Sequence, residues 1–209
     1  MLKHTVSGIC AGIMIAIGGS VFLSCENKVV GAVLFAVALL VICILGLYLY
    51  TGKIGLFIEN PSKKSAIALA VGLAGNAIGA ILTGILAAIA KPSLVDVAAT
   101  ACDGKLEGGM IRGLIAAIFC GVLMYAAVKT YALRGTLVGI IFCIPTFILC
   151  GFEHSVADMY YFAVASFKSF DPMSILFVLV IVVGNTLGGW LLPVLMRLGK
   201  GKETENESK

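Results

Sequence analysis

Cys150-Gly151-Phe152-Glu153-His154-Ser155-Val156-Ala157-Asp158-Met159 holds two carboxylates and a histidine within six residues. The stretch lies in the middle of an apolar segment, 136–165, that is long enough to cross a bilayer. An ionised carboxylate at a membrane centre costs roughly 2.5–3.5 kcal/mol on insertion scales. Ionisable groups kept at that cost usually face a cavity, a partner or a substrate path. As one continuous helix the segment would be about 45 Å long, against a hydrocarbon core of about 30 Å. A break at Cys150-Gly151 resolves the excess and puts Glu153 and His154 at depth.

The rest of the chain sets this segment in a membrane protein. Its 209 residues are 60% hydrophobic and 12% charged, where soluble domains carry about 25% charged residues. Six apolar segments follow one another at about 6–24, 29–50, 66–90, 112–131, 136–165 and 174–196. Each is near or above the roughly 20 residues that a spanning helix needs. Breakers separate them, among them Glu26-Asn27-Lys28, Asn60-Pro61-Ser62, Lys91-Pro92 and Asp171-Pro172. The abundant glycine, 25 residues, suits close helix packing.

The seven cysteines are scattered without CxxC or zinc spacing, and the only histidines are His4 and His154. A multi-histidine metal site is thereby excluded, and no cofactor is implied. The net charge of +4 speaks to topology rather than to nucleic acid. An even number of spans puts both termini on one side. Ten of the 15 Lys and Arg lie on that side, and five (Lys28, Lys91, Lys105, Arg112 and Lys168) lie opposite. The positive-inside rule then predicts cytoplasmic termini in a multi-pass plasma-membrane protein. Residues 1–198 read as one six-helix domain, and 199–209 as a polar, disordered cytoplasmic tail. Lys3-His4, the apolar run and Leu23-Ser24-Cys25 also resemble a secretory leader. The repeat described next needs that run as its first helix.

Gly75-Asn76-Ala77-Ile78-Gly79 in the third segment recurs as Gly184-Asn185-Thr186-Leu187-Gly188 in the sixth. Three spans per half is odd, so the halves, about 6–90 and 112–196, insert with opposite orientation. That is the inverted-repeat plan of many transporters, with the site near the midplane at the repeat interface. The break in segment five then has a counterpart in segment two, at Tyr50-Thr51-Gly52-Lys53. Thr51 and His154 would come from opposed half-helices and meet at the centre.

Gly-Phe-Glu-His-Ser followed by Ala-Asp-Met resembles the fifth-helix signature of the formate/nitrite transporter family. The two Gly-Asn motifs and Leu49-Tyr50-Thr51-Gly52 resemble its third, sixth and second helices. The likeness covers about residues 8–196, and the chain reads as a short, somewhat divergent bacterial-type member. It implies an all-α integral membrane protein of six transmembrane helices. The fold would be an aquaporin-like 3+3 inverted repeat with broken helices two and five, assembled as a homopentamer. Each protomer would carry a pore for small monovalent anions such as formate, nitrite, hydrosulfide or lactate.

Position by position, the resemblance makes His154 the central histidine, Thr51 the loop threonine facing it, and Lys105 a lysine of the outer vestibule before helix four. Phe35, Leu39, Leu49 and Phe147 match apolar constrictions, and Asn185 the helix-six asparagine. The chain departs from the pattern at Gly121, where the family has an asparagine, at Tyr48, where it has an acidic residue, and at Asp158, where it often has an asparagine. The first span begins within a few residues of Met1, which leaves little room for the family's amphipathic N-terminal helix.

The chemistry agrees. A small anion in a dry constriction loses its hydration, but a weak acid can cross neutral if something lends it a proton. Histidine, with an unperturbed pKa of about 6.5, suits that exchange. Thr51 would bind the anion or fix the His154 ring, and Lys105 would draw anions in by focusing the field. Glu153 and Asp158 are expected as supports that offset positive charge or fix the broken helix. Asn76 and Asn185 are expected to satisfy backbone freed at helix contacts. Partners are thus small anions, protons and the bilayer, not nucleic acid. A membrane hydrolase is disfavoured, since HExxH and GxSxG are lacking. A neutral-solute pore would carry an Asn-Pro-Ala pair, also lacking. A non-transporting membrane subunit would have no use for the charge cluster.

Overall fold

A computed structural model describes residues 1–206, with side chains as far as Gly199; the remainder lies outside the described structure. Every regular element among the described residues is a helix: α1 (Leu2–Ser24), α2 (Lys28–Ile44), α3 (Tyr50–Phe57), α4 (Lys63–Ala90), α5 (Ser93–Arg134), α6 (Val138–Leu149), α7 (Ser155–Ala165) and α8 (Met173–Asn206). Four are long and apolar enough to cross a membrane: α1, α4, α5 and α8 as far as Gly199. The outward faces of these helices leave Ile81, Leu82, Leu86, Ile115, Leu179 and Val183 exposed. So much contiguous apolar surface needs lipid or a partner subunit to cover it.

Local chemistry sets the helix ends. Asn27 accepts hydrogen bonds from the Val29 and Val30 amides and starts α2. Ser62 and Ser65 form a reciprocal capping box on α4. Asp171 accepts from the Met173 amide and starts α8, and Gly135, left-handed at φ 64°, ends α5 behind Arg134. α8 runs to Asn206, into the stretch whose composition reads as a disordered tail; residues 207–209 of that tail lie outside the described residues.

Two placements differ from the sequence expectation. The 93–111 stretch, read as a polar connection before the fourth segment, is helical from Ser93 and interrupted only at Gly109 (φ 78°, ψ 165°). Its Asp96, Asp103, Lys105 and Glu107 depress hydropathy without breaking helical geometry, so an apolar window misses it. The interruption expected at Tyr50–Lys53 lies instead at 45–49, and residues 50–53 are the first turn of α3. The chain turns at Gly46, left-handed at φ 64°, just as Gly151 (φ 67°) turns it after α6.

The packing is two-fold in character. α1 lies along α4 and α5 along α8, while α3 packs on α5 and α8, and α7 on α1 and α4. Each short helix is thus seated against the other half of the chain. The glycine motifs make the long pairs close: a Cβ on Gly79 would strike the Ile9 carbonyl, and one on Gly188 the Ile118 carbonyl.

Between those glycines the two asparagines do matching work. Asn76 accepts from the Tyr50 amide (2.8 Å) and donates to the carbonyls of Gly8 (2.8 Å) and Tyr48 (2.9 Å). Asn185 accepts from the Ser155 amide (2.9 Å) and donates to the carbonyls of Ala117 (2.9 Å) and Glu153 (2.8 Å). Both are fully buried. A primary amide offers one acceptor and two donors, which is what each junction lacks.

At one end of the bundle Glu59, after α3, accepts from Tyr125 (2.8 Å) and from Lys129 with both oxygens, while Arg197 donates to its carbonyl. Burial raises the Glu59 pKa, but hydrogen bonds from Lys129 and Tyr125 and the charges of Lys129 and Arg197 outweigh it and hold it below the usual carboxylate value. A lowered folded pKa stabilises above the unfolded value and is lost as pH falls through the folded one. Acidification below the usual carboxylate range should therefore loosen the 58–62 connection, seen as faster amide exchange there, and Glu59→Gln should abolish that dependence. Separately, Asn76→Ala or Asn185→Ala should each destabilise by roughly 2–4 kcal/mol through unpaired buried groups. A clear drop in the melting temperature of the detergent-solubilised protein is expected, and an unchanged value would refute the junction role.

Candidate functional site

The site begins where α6 stops. The Gly151 and Phe152 amides close back on the carbonyls of Ile148 and Phe147. His154 then takes extended geometry (φ −114°, ψ 112°) and caps α7, its Nδ1 accepting from the Ala157 amide at 3.2 Å. On the other half, Leu49 precedes α3 in extended geometry, so Thr51 stands in the first turn of that helix. The two helix starts face one another, and Thr51 Oγ1 lies 2.9 Å from His154 Nε2. Both residues are almost wholly buried.

The cap decides the histidine tautomer. Nδ1 accepts an amide hydrogen, so it carries none itself; the ring proton is on Nε2, which donates to Thr51. The Phe147 ring stacks on the imidazole (centroids 5.8 Å, interplanar angle 16°), and Phe35 meets Phe147 edge-on at 6.4 Å. The N-terminal ends of α3 and α7 both direct partial positive charge at this point.

Two recesses flank the pair. A cavity of about 420 Å³ is lined by Phe35, Phe147, His154, Asp158, Lys105 and Arg112, among others. A smaller one of about 160 Å³ is lined by Leu39, Leu49, Gly52 and Lys53. The four expected constriction residues are all buried. Phe35 and Phe147 border the larger recess, and Leu39 and Leu49 the smaller.

Lys105 is not a free charge. From α5 its ammonium is hydrogen-bonded to Glu153 and lies 3.1 Å from Asp158 Oδ1, above the Tyr161 ring at 5.7 Å. Glu153 and Asp158 therefore share one cation, and the structure brings together all three charged residues singled out in the sequence. Arg112 is the cation that sequence reasoning missed on this wall. It stands seven residues after Lys105, beyond the Gly109 interruption, and lines the same cavity. Asn76 and Asn185 stand behind the site, holding the starts of α3 and α7.

The model of a family described as Formate/nitrite transporter matches residues 1–199. The chain belongs to that family. A relative, the uncharacterized transporter YrhG of Bacillus subtilis (strain 168), is 32% identical over 181 residues, covering 78% of this chain and 68% of that protein. Among solved structures, a pentameric formate channel with formate bound superposes with a TM-score of 0.78 at 20% identity, over 94% of this chain and 96% of that one. An FNT family ion channel gives 0.76 at 24% identity, over 97% and 88%. At those identities the likeness is one of fold.

Membership makes this formate/nitrite transporter family protein a multi-pass membrane transporter or channel rather than an enzyme. Three positions that the sequence reading set apart, Gly121, Tyr48 and Asp158, have clear structural places. Gly121 lets α5 approach the Asn185 carbonyl, where a Cβ would clash, as Gly12 of α1 does at the Asn76 carbonyl. Tyr48 gives its carbonyl to Asn76 and its ring to an edge contact with His4 at 4.9 Å. Asp158 joins the Lys105 cluster. With only two histidines in the chain, nitrogen-15 NMR of histidine-labelled protein should resolve His154 as the neutral Nε2–H tautomer at neutral pH. A protonated Nδ1 there would refute the capping assignment.

Proposed function

We propose that this protein is a channel or transporter for small monovalent anions of weak acids, of the formate, nitrite or hydrosulfide kind. His154 would meet the solute at the closed stretch between the two recesses, hydrogen-bond it through Nε2–H and exchange a proton with it. In the same reading α2 with α3, and α6 with α7, each fill one interrupted span. Six spans then form an inverted 3+3 repeat, with both termini cytoplasmic in the plasma membrane and five protomers per assembly. Each protomer keeps its own pore.

The observation that carries this reading is the 2.9 Å contact between Thr51 and His154 from opposed helix starts, walled by Phe35 and Phe147. A dry aromatic wall penalises a bare anion, while two helix N-termini, a hydroxyl and an imidazole N–H favour negative charge at one point. A neutral acid passes the wall, and an anion rests at the donors. Thr51 positions the ring and supplies a second hydrogen-bonding group, its hydroxyl, to the solute. For His154 to lend a proton, Nδ1 must first gain one and release the Ala157 amide, so the exchange is coupled to the first turn of α7.

Flux of formate, nitrite, hydrosulfide and lactate into proteoliposomes, measured across pH and corrected for protein-free vesicles, tests the reading. Wild-type protein should pass at least one of these solutes. His154→Ala should reduce that flux by about tenfold or more, or erase its pH dependence. Wild-type protein that passes none would sink the transport reading. His154→Ala protein with a wild-type pH profile would remove the histidine from the mechanism.

A further inference from the structure

The cluster beside His154 carries one charge too many. Glu153 and Asp158 are both acids, and Lys105 is the one cation within ion-pair reach of either among the described residues. Arg112 lines the same cavity but is exposed and makes no ion pair with them. The other ionisable groups facing the cluster are Cys102 and Cys120 from α5, and His154 and Tyr161 from α7 and its cap. None of the charged side chains of α1, α4 or α8 lines this cavity among the described residues.

The two carboxyls are not equivalent. Glu153 takes the direct hydrogen bond from Lys105. Asp158 is 1% exposed, lines the cavity, and has no hydrogen-bond partner on either oxygen. The ammonium at 3.1 Å from its Oδ1 is shared with Glu153, so one positive charge faces two carboxyls. Two neighbouring carboxylates with one ammonium in a low-dielectric site do not both ionise readily. A proton on Asp158 removes the surplus negative charge and turns one of its carboxyl oxygens into a donor in the cavity wall.

We propose that Asp158 is a neutral, protonated acid in the resting protein and is the first donor of a proton to an anion waiting in this cavity. The proposal rests on the anion-transport reading above and names where the proton comes from. In the step, the Asp158 O–H bond breaks and the proton forms an O–H (or S–H) bond on the anion. A neutral weak acid then enters the aromatic stretch and meets His154, one helical turn before Asp158 and lining the same cavity. The Asp158 carboxylate left behind makes the cluster net negative, which disfavours entry of another anion. A hydronium ion from the water at the cavity mouth restores the O–H bond and the neutral cluster. Solute and proton therefore enter together, one for one.

Infrared difference spectroscopy of the reconstituted protein at neutral pH reads the resting state directly. A protonated-carboxyl carbonyl band is expected, shifted by carbon-13 labelling of aspartate and absent in Asp158→Asn, an isosteric variant that keeps the side chain polar. In proteoliposomes, wild-type formate flux should rise about tenfold or more as the outside pH falls from about 8 to about 6, whereas Asp158→Asn should vary by less than about twofold. A missing band, a band that follows glutamate labelling, or a band retained in Asp158→Asn overturns the assignment. A band that vanishes in Asp158→Asn while the flux keeps its wild-type pH profile overturns the donor role. Wild-type vesicles that pass no formate or related anion defeat the transport reading and the donor role with it, while the infrared band independently decides whether Asp158 holds the proton.

Discussion

Everything at the centre of this protein hangs on two buried carboxamides. Where α2 and α6 end, the chain leaves helical geometry inside an apolar bundle and frees backbone amides and carbonyls that lipid cannot satisfy. Asn76 and Asn185 answer with three hydrogen bonds each, tying the Tyr50 and Ser155 amides and the Tyr48 and Glu153 carbonyls to the neighbouring long helices α1 and α5. With the junctions satisfied, α3 and α7 can start at depth. Thr51 and His154 occupy those starts, so their contact is a consequence of the asparagines. Aspartate would bring an uncompensated charge, and leucine would leave every one of these groups unpaired.

The second constraint is dryness. Phe147 stacks on the imidazole with Phe35 edge-on behind it, and Leu39 and Leu49 line the recess beyond. In such surroundings a single polar pair carries more weight than it would in water. The charged residues are kept to one wall and held together there, Lys105 against Glu153 and Asp158. The wall is therefore less positive than a lone lysine would make it, and the electrostatics of the larger recess belong to the cluster and the solvated Arg112 together.

Much of this was legible in the residues. The 136–165 run was too long for one span and held its own charges, and the Gly-Asn repeat pointed to paired junctions. The pairing of Thr51 with His154 followed from placing those two features in opposite halves. Where the reading faltered, the cause was specific. Lys105 looked like part of a polar connection because Asp96, Asp103 and Glu107 mask a helix whose apolar side is turned to the core. The break near Thr51 was placed a few residues late, because a glycine-containing sequence such as Tyr50-Thr51-Gly52-Lys53 reads as a turn until Asn76 is seen holding its first amide.

The sequence by itself determined the class of the protein, the recurrence of its Gly-Asn motif and the residue types at its centre, because hydropathy, motif spacing and the cost of charge in lipid are properties of composition and order. Only the tertiary structure decided which groups are partners. Thr51 and His154 are 103 residues apart, Lys105 and Glu153 are 48 apart, and each asparagine lies 68 residues from the carbonyl it meets on α1 or α5. Such bonds depend on helices distant in sequence packing to within hydrogen-bond distance, and the Thr51–His154 contact alone among them joins the two halves. The packing set Thr51 against His154 Nε2, turned Lys105 from a free charge into a shared one, and left Asp158 buried without a hydrogen-bond partner.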